Sequence, residues 1–337
     1  QYNTIKHGSY GIQHEYFSSF VNGFEVRRNR IENFSAAGLQ FAHTSGLQID
    51  GNTIVSTKNA TKGIDIYNEN DTLAVSNNKL ELSSGQYGIL LDNIEPVSAR
   101  AHITNNMVYV QHASSAAYGI RAYTLSNTDV IHNTLKVTGP NSANVTLQID
   151  VATQDSIFNN LITAFGGGID FYMGEATLSM MDNNGYYHTG PILGKYNYGA
   201  ITLDDLAEWQ SLTGFDADAV FYPPFYLSET NLHLGNSYLN GQASPAWAST
   251  YDIDGDLRNS TNPDPGADEF DPQPLDASIA ALLSPAVSCD TFQNIEVVLI
   301  NLGADTITDA SIQWTLNGDA QTPVTYSGEL LPEGDTA

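Results

Sequence analysis

Basic residues are scarce: 12 Lys and Arg stand against 38 Asp and Glu in 337 residues, a formal charge of −26. The shortage is uneven. Residues 1–195 hold 11 basic and 16 acidic residues, whereas residues 196–337 hold one basic residue, Arg258, against 22 acidic ones. Such a chain repels phosphate backbones and anionic lipid, which argues against nucleic acid and membrane-surface partners. Cysteine is nearly absent as well; the lone Cys289 excludes an internal disulfide framework and reads as a small buried apolar residue. No apolar run reaches the length of a membrane span. The opening residues, QYNTIKHGSYG, lack the charged and apolar regions of a signal peptide. The chain is expected to be a mature or excised segment, because it opens inside a repeat and ends inside an unfinished domain. Eight histidines include neither HExxH nor a close pair, which argues against zinc.

What is present is periodic. Asn, any residue, then an apolar residue recurs at Asn29, Asn52, Asn78, Asn106, Asn133, Asn160 and Asn184, in steps of 23, 26, 28, 27, 27 and 24. Out of phase with it runs a Gly-apolar pair at Gly11, Gly38, Gly63, Gly88, Gly119 and Gly168, with Leu147-Gln148-Ile149 on the rung that lacks one. Short alternating strands separated by turn residues, with no helical stripe, predict an all-β chain built as a right-handed parallel β-helix, each rung stacking on its equivalent one turn later. Step lengths vary because insertions fall in turns. The asparagines are expected at corners, where they tolerate left-handed backbone and hydrogen-bond from rung to rung. Thr202 with Asp205 reads as the N-terminal cap of a helix near 202–212 that Gly214 stops, and Leu203, Leu206 and Trp209 share the face that closes the core.

The runs LDDLAEWQSLTGFDADAVF, NLHLGNSYL, SPAW and DIDGDLRNSTNPDPGADEF resemble the closing segment of secreted right-handed β-helix repeat proteins common in the Bacteroidota. With the repeats, the resemblance covers about residues 1–271, with a C-terminal cap at about 185–271. It implies an extracellular or cell-surface location, in a group that includes polysaccharide lyases, glycosidases and large surface proteins without known chemistry. A boundary follows at Asp271-Pro-Gln-Pro. Beyond it Ala277–Leu283, Ile295–Asn301, Ser311–Asn317 and Thr322–Leu330 alternate as strands, with a hairpin turn at Asn317-Gly318. The frame VVLINLGADTITDASIQWTLNG resembles immunoglobulin-like, CARDB-type modules, so 272–337 is expected to be such a β-sandwich, cut short, since a sandwich needs about seven strands. Export by a route like type IX secretion is what this resemblance implies.

Chemistry is sought on the outward residues of the Gly-apolar strands. Two rows are expected: Gln13, Gln40, Asp65, Leu90, Arg121, Gln148 and Asp170, and beside them Glu15, Ala42, Tyr67, Asp92, Tyr123, Asp150 and Tyr172. Asp65, Tyr67, Asp92, Arg121, Tyr123 and Tyr172 are the types that hold sugars by stacking and hydrogen bonding, and Arg121 suits a uronate. Asp150 and Asp170, one rung and two residues apart, would lie about 8 Å from each other, the separation of an inverting glycosidase pair. Asn127-Thr128-Asp129 matches one element of the polygalacturonases, whose Asp-Asp, Gly-His-Gly and Arg-Ile-Lys elements are missing. No Lys/Arg pair at matching rung positions supports a lyase. Asp252, Asp254 and Asp256 alternate as at the start of a calcium loop, although Leu257 and Pro263 stand where an EF-hand needs Gly and Glu. Two readings therefore stand: a structural or adhesive module that binds cell-surface glycan or other copies or domains of the same large protein, and a polysaccharide-active enzyme, either a glycoside hydrolase or a lyase.

Overall fold

The computed structural model describes residues 1–15, 19–59, 61–235, 237–284, 294–332 and 336–337. Cys289 lies outside them, as do the side chains of residues 175–177. The described chain divides into two compact units: Gln1–Pro223 with Ser228–His233 and Gly241–Glu269, and Pro224–Leu227 with Leu234–Asn240 and Phe270–Ala337. No helix among the described residues is long and apolar enough to cross a membrane.

The first unit is a right-handed parallel β-helix. Three sheets wind around one core, each strand pairing in parallel with its equivalent one rung on, except that Ile201–Leu203 ends the second sheet antiparallel to Gly194–Tyr196. Sheet I begins Thr4–Lys6, Arg30–Glu32, Thr53–Ser56 and ends at Val220–Phe221. Sheet II begins Tyr10–Glu15, Ala37–Ser45, Lys62–Glu69. Sheet III runs from Glu25–Arg27 to Met180–Asp182. Their inward residues, such as Ile31, Ile54, Ile64, Ile89, Ile103 and Ile120, are stacked and fully buried. Parallel strands buried this way need apolar residues at alternate positions, which is the pattern in the sequence.

The repeated asparagines sit at the corner from sheet III to sheet I, and their amides form one continuous ladder. Each Oδ1 accepts from both the backbone N–H and the Nδ2 of the asparagine one rung earlier: Asn29 to Asn52, Asn52 to Asn78, and so on to Asn160 and Asn184, at 2.9–3.1 Å. From Asn52 on, the Nδ2 also donates to a main-chain carbonyl of the preceding rung, as Asn133 does to Ile103. The left-handed backbone is not at these asparagines, as expected, but one residue earlier, at Arg28, Gly51, Asn77, Asn105, His132, Asn159 and Asn183. That residue turns the chain, so the ladder asparagine can point inward.

Both ends of the ladder extend past the repeat. Asn3 donates from its N–H and Nδ2 to Asn29, adding an eighth asparagine. At the far end Asp216 replaces asparagine, accepting from Asn184 Nδ2, Tyr186 Oη and Trp209 Nε1 at 2.8–2.9 Å. A carboxylate suits the terminus because only donors converge there.

The Gly-apolar motif has a steric cause. A Cβ at Gly88 would lie 2.2 Å from Val108 Cγ1 and 2.4 Å from the carbonyl oxygen of Gly119, and Gly11, Gly38 and Gly63 meet the next glycine in the same way. Gly88→Ala is expected to destabilise the helix by about 1–3 kcal/mol, since backbone on the facing rung cannot yield. An unchanged denaturation midpoint would refute that account.

The helix is closed at its C-terminal end by Leu206–Thr213, which starts later than expected. Thr202 lies instead in the strand Ile201–Leu203, and Asp205 is the N-cap, accepting from Glu208 N while Glu208 accepts from Asp204 N. Gly214, in the left-handed region, ends it. Buried Trp209 packs against Phe171, Tyr196 and Phe215 and seals the last rung. Residues 241–269 do not extend that seal; they run back along the corner between sheets III and I. Arg258, the lone basic residue of the C-terminal part, is buried there, bound to Asn105 Oδ1, the Gly266 carbonyl and Glu269.

The second unit is a small, sandwich-like antiparallel region. Ala277–Ser284 pairs with Glu296–Asn301, Ile307–Ile312 with Val324–Leu330, and Thr315–Leu316 with Asp319–Ala320 across the Asn317-Gly318 turn. The segment expected as one strand over Ser311–Asn317 is divided between two of these pairs. Leu299, Ile307 and Leu330 form its core.

Candidate functional site

Sheet II carries the expected outward rows, with one register error. The first row runs Gln13, Gln40, Asp65, Leu90, Arg121, Gln148 and then Tyr172, followed by Lys195. Gly168 had set the alignment, but Val145 pairs with Ile169 and Leu147 with Phe171. Thr146, which follows Gly119 in the glycine row, therefore stands opposite Asp170. Asp170 accordingly lies in the tight corner row, fully buried, its Oδ2 2.9 Å from His188 Nδ1. Burial pushes its carboxyl up to about 7, against the pull of His188.

This overturns the Asp150/Asp170 pair. Met173 pairs with Ile149, so Asp150 stands opposite Gly174, one rung and four residues from Asp170, about 14 Å along the lattice. That exceeds any two-carboxylate glycosidase geometry. Asp92 and Asp150 do share a row, two rungs apart, but at about 9.6 Å they sit at the outer edge of the inverting range. Tyr123 occupies the rung between them.

The six residues expected to bind sugar fall into two groups. Toward the N-terminus Asp65 is buried, ion-paired with Lys62 at 2.8 Å and bound by Gln40, so it is not available to a ligand. Tyr67 donates to Glu15 at 2.8 Å, and burial with that carboxylate raises its phenol to about 12. Asp92 is exposed, with its carboxyl raised by burial of its surroundings and by Asp65.

Toward the C-terminus the side chains converge. The Arg121 guanidinium lies 4.8 Å from the Tyr118 ring centroid and 4.4 Å from that of Tyr123, and Nη2 is 3.6 Å from Asp150 Oδ2. Tyr87 stacks on Tyr118 one rung away, centroids 5.1 Å apart and planes 8° apart. Gln148 donates to Asp150 at 2.6 Å. Tyr198, on the turn beyond Lys195, is half exposed beside Gly174; burial, then Asp150 and Tyr198, raise the phenol of Tyr172. Tyr87, Tyr118 and Tyr198 were missed because they lie off the two rows; a tyrosine at the same strand-entry position of successive rungs was the available signal. Arg121 is already matched by Asp150, so its charge is not free to grip a uronate.

The calcium reading does not survive the geometry. Asp252 is buried, its Oδ1 accepting from Asp254 N and Asp256 N and its Oδ2 from Glu269 N, so it organises the turn. Asp256 is exposed, and Asp254 points away from both, toward Lys79 Nζ at 2.7 Å and His233 Nε2 at 2.6 Å. Those two contacts hold the Asp254 carboxyl below its usual range in spite of its burial. A polar groove of about 780 Å³ lies on this corner, lined by Arg28, Asp50, Asn77, Lys79, Asn105 and Tyr251 among others.

A family model described as a right handed beta helix region matches residues 1–135. No curated protein and no solved structure matches the chain. The first unit has the right-handed parallel β-helix fold, which is found in adhesive modules and polysaccharide-active enzymes alike.

Proposed function

We propose that the chain is a non-catalytic, glycan-binding module within a larger extracellular or cell-surface protein, and that its ligand is a neutral polysaccharide. The observation that carries this reading is the aromatic platform around Arg121. Tyr123 is 36% and Tyr198 50% exposed. Tyrosine rings present an apolar face to a sugar ring and a hydroxyl to its rim. Arg121, clamped between two rings and paired with Asp150, fixes the platform without adding free charge. A chain of charge −26 also disfavours polyanionic ligands. Against catalysis stands the spacing of the carboxylates, together with their engagement: Asp65 by Lys62, Asp150 by Arg121 and Asp170 by His188.

Affinity electrophoresis through gels cast with neutral and uronate-containing polysaccharides tests this. Retardation by a neutral glycan is expected, with Tyr123→Ala and Tyr198→Ala each weakening it about tenfold, the scale of losing one stacked ring. Reducing ends or unsaturated uronate released from any of these polymers, or no retardation in any gel, would sink the proposal.

A further inference from the structure

We propose that His233, Asp254 and Asp268 form a binding site for a divalent first-row transition metal such as zinc. One ligand atom from each lies within 4.8 Å of the others, the sole such group of three among the described residues. All three belong to the β-helical unit. Asp268 is 5% exposed, whereas Asp254 is open to solvent on one side, so the site is anchored inside and reachable from outside.

The imidazole of His233 is oriented for this. Its backbone N–H and Nδ1 both contact Asn231 Oδ1, which turns Nε2 toward Asp254 Oδ2, 2.6 Å away. Asp268 adds a second carboxylate to the same cluster.

The donor set selects the ion. One imidazole nitrogen and two carboxylates suit zinc and its neighbours, while calcium prefers six or more oxygens. Outer contacts are in place too: Asn231 orients the imidazole, and Lys79 holds the second Asp254 oxygen at 2.7 Å. The ligands lie 21 and 14 residues apart, in a loop and in the returning segment, so the ion would tie these two pieces together on the side of the helix.

Calorimetric titration of the chelator-treated chain with zinc chloride tests the site. One equivalent is expected to bind with a dissociation constant of about 10 µM or tighter and to raise Tm. His233→Ala and, as the gentler change, His233→Gln are each expected to weaken binding at least tenfold without altering Tm in chelator. Cobalt(II) should give a visible absorption band that both variants lose. Absence of zinc binding, equal binding by both variants, or calcium occupying the site in preference to zinc would overturn the proposal.

Discussion

Replacing Asn133 with alanine is expected to lower the stability of the β-helix by about 3–5 kcal/mol. The amide is fully buried at mid-ladder. Its Oδ1 receives the N–H and Nδ2 of Asn106, and its Nδ2 donates to Asn160 Oδ1 and to the carbonyls of Ile103 and Ile131. Alanine strands the N–H and one Nδ2 hydrogen of Asn106 where water cannot reach them and takes a donor from Asn160 Oδ1 and from the Ile103 and Ile131 carbonyls, and each stranded group costs about 1–3 kcal/mol, softened by local relaxation. Asn133→Asp should be no better tolerated, because a carboxylate oxygen would then face the Ile103 carbonyl and Asn160 Oδ1. Asn3→Ala, at the exposed start of the ladder, should cost under about 1 kcal/mol. Urea denaturation of the three variants provides the comparison. Equal midpoints for Asn3→Ala and Asn133→Ala would show that the ladder is not what holds the rungs together.

Stability is expected to fall by about 5 kcal/mol between pH 5 and pH 8. Three fully buried carboxyls carry raised values: Asp155 and Asp216 at about 6 and Asp170 at about 7, each because burial disfavours the charge more than its hydrogen bonds favour it. In the unfolded chain the same groups ionise near 3.9. Between roughly pH 4 and 7 the folded state therefore holds more protons than the unfolded state, and stability drops as pH rises. Groups shifted the other way, Asp129 and Asp254, contribute stability that is lost as pH falls below about 4, which sets the acid limit of the window. Self-repulsion of the acidic surface acts in the same direction as the buried groups, but salt screens it and leaves them largely untouched. Thermal melts from pH 5 to 8 in 0.5 M salt separate the two. A Tm that climbs over that range would contradict the assignment. Asp216→Asn should flatten the profile while lowering Tm at pH 5, since the new amide turns an NH₂ toward Tyr186 or Trp209.

The β-helix was legible in the sequence because a solenoid writes its contacts into a linear period: Asn106 meets Asn133 27 residues on, and Asn133 meets Asn160 after the same interval. Where the period breaks, so does the reading. Gly168 imitates the glycine row but lies two residues before the true register, and that slip turned buried Asp170 into an outward carboxylate. Asn3 satisfies the motif, yet with no earlier rung it was not counted. Asp216 could not be found by pattern at all, being a different residue type 32 positions beyond Asn184. The aromatic platform was half visible, through Arg121, Tyr123 and Tyr172, because these alternate along strands. The group of His233, Asp254 and Asp268 depends on a loop and a returning segment, and no local spacing encodes it.

The returning segment also dictates an order of events. Its contacts reach back 175 residues from Asp254 to Lys79, 153 from Arg258 to Asn105 and 134 from Gly266 to His132. Rungs can stack one upon another as the polypeptide emerges, each templating the next, whereas these contacts require the earlier rungs to be finished and still in register. The segment therefore docks last and reads out whether assembly succeeded: a slipped rung displaces Asn105 or His132 from its partner and leaves Arg258 without a place. In the reverse direction it must detach first, which makes a small irregular stretch the gatekeeper for unravelling of the far larger regular stack beneath it.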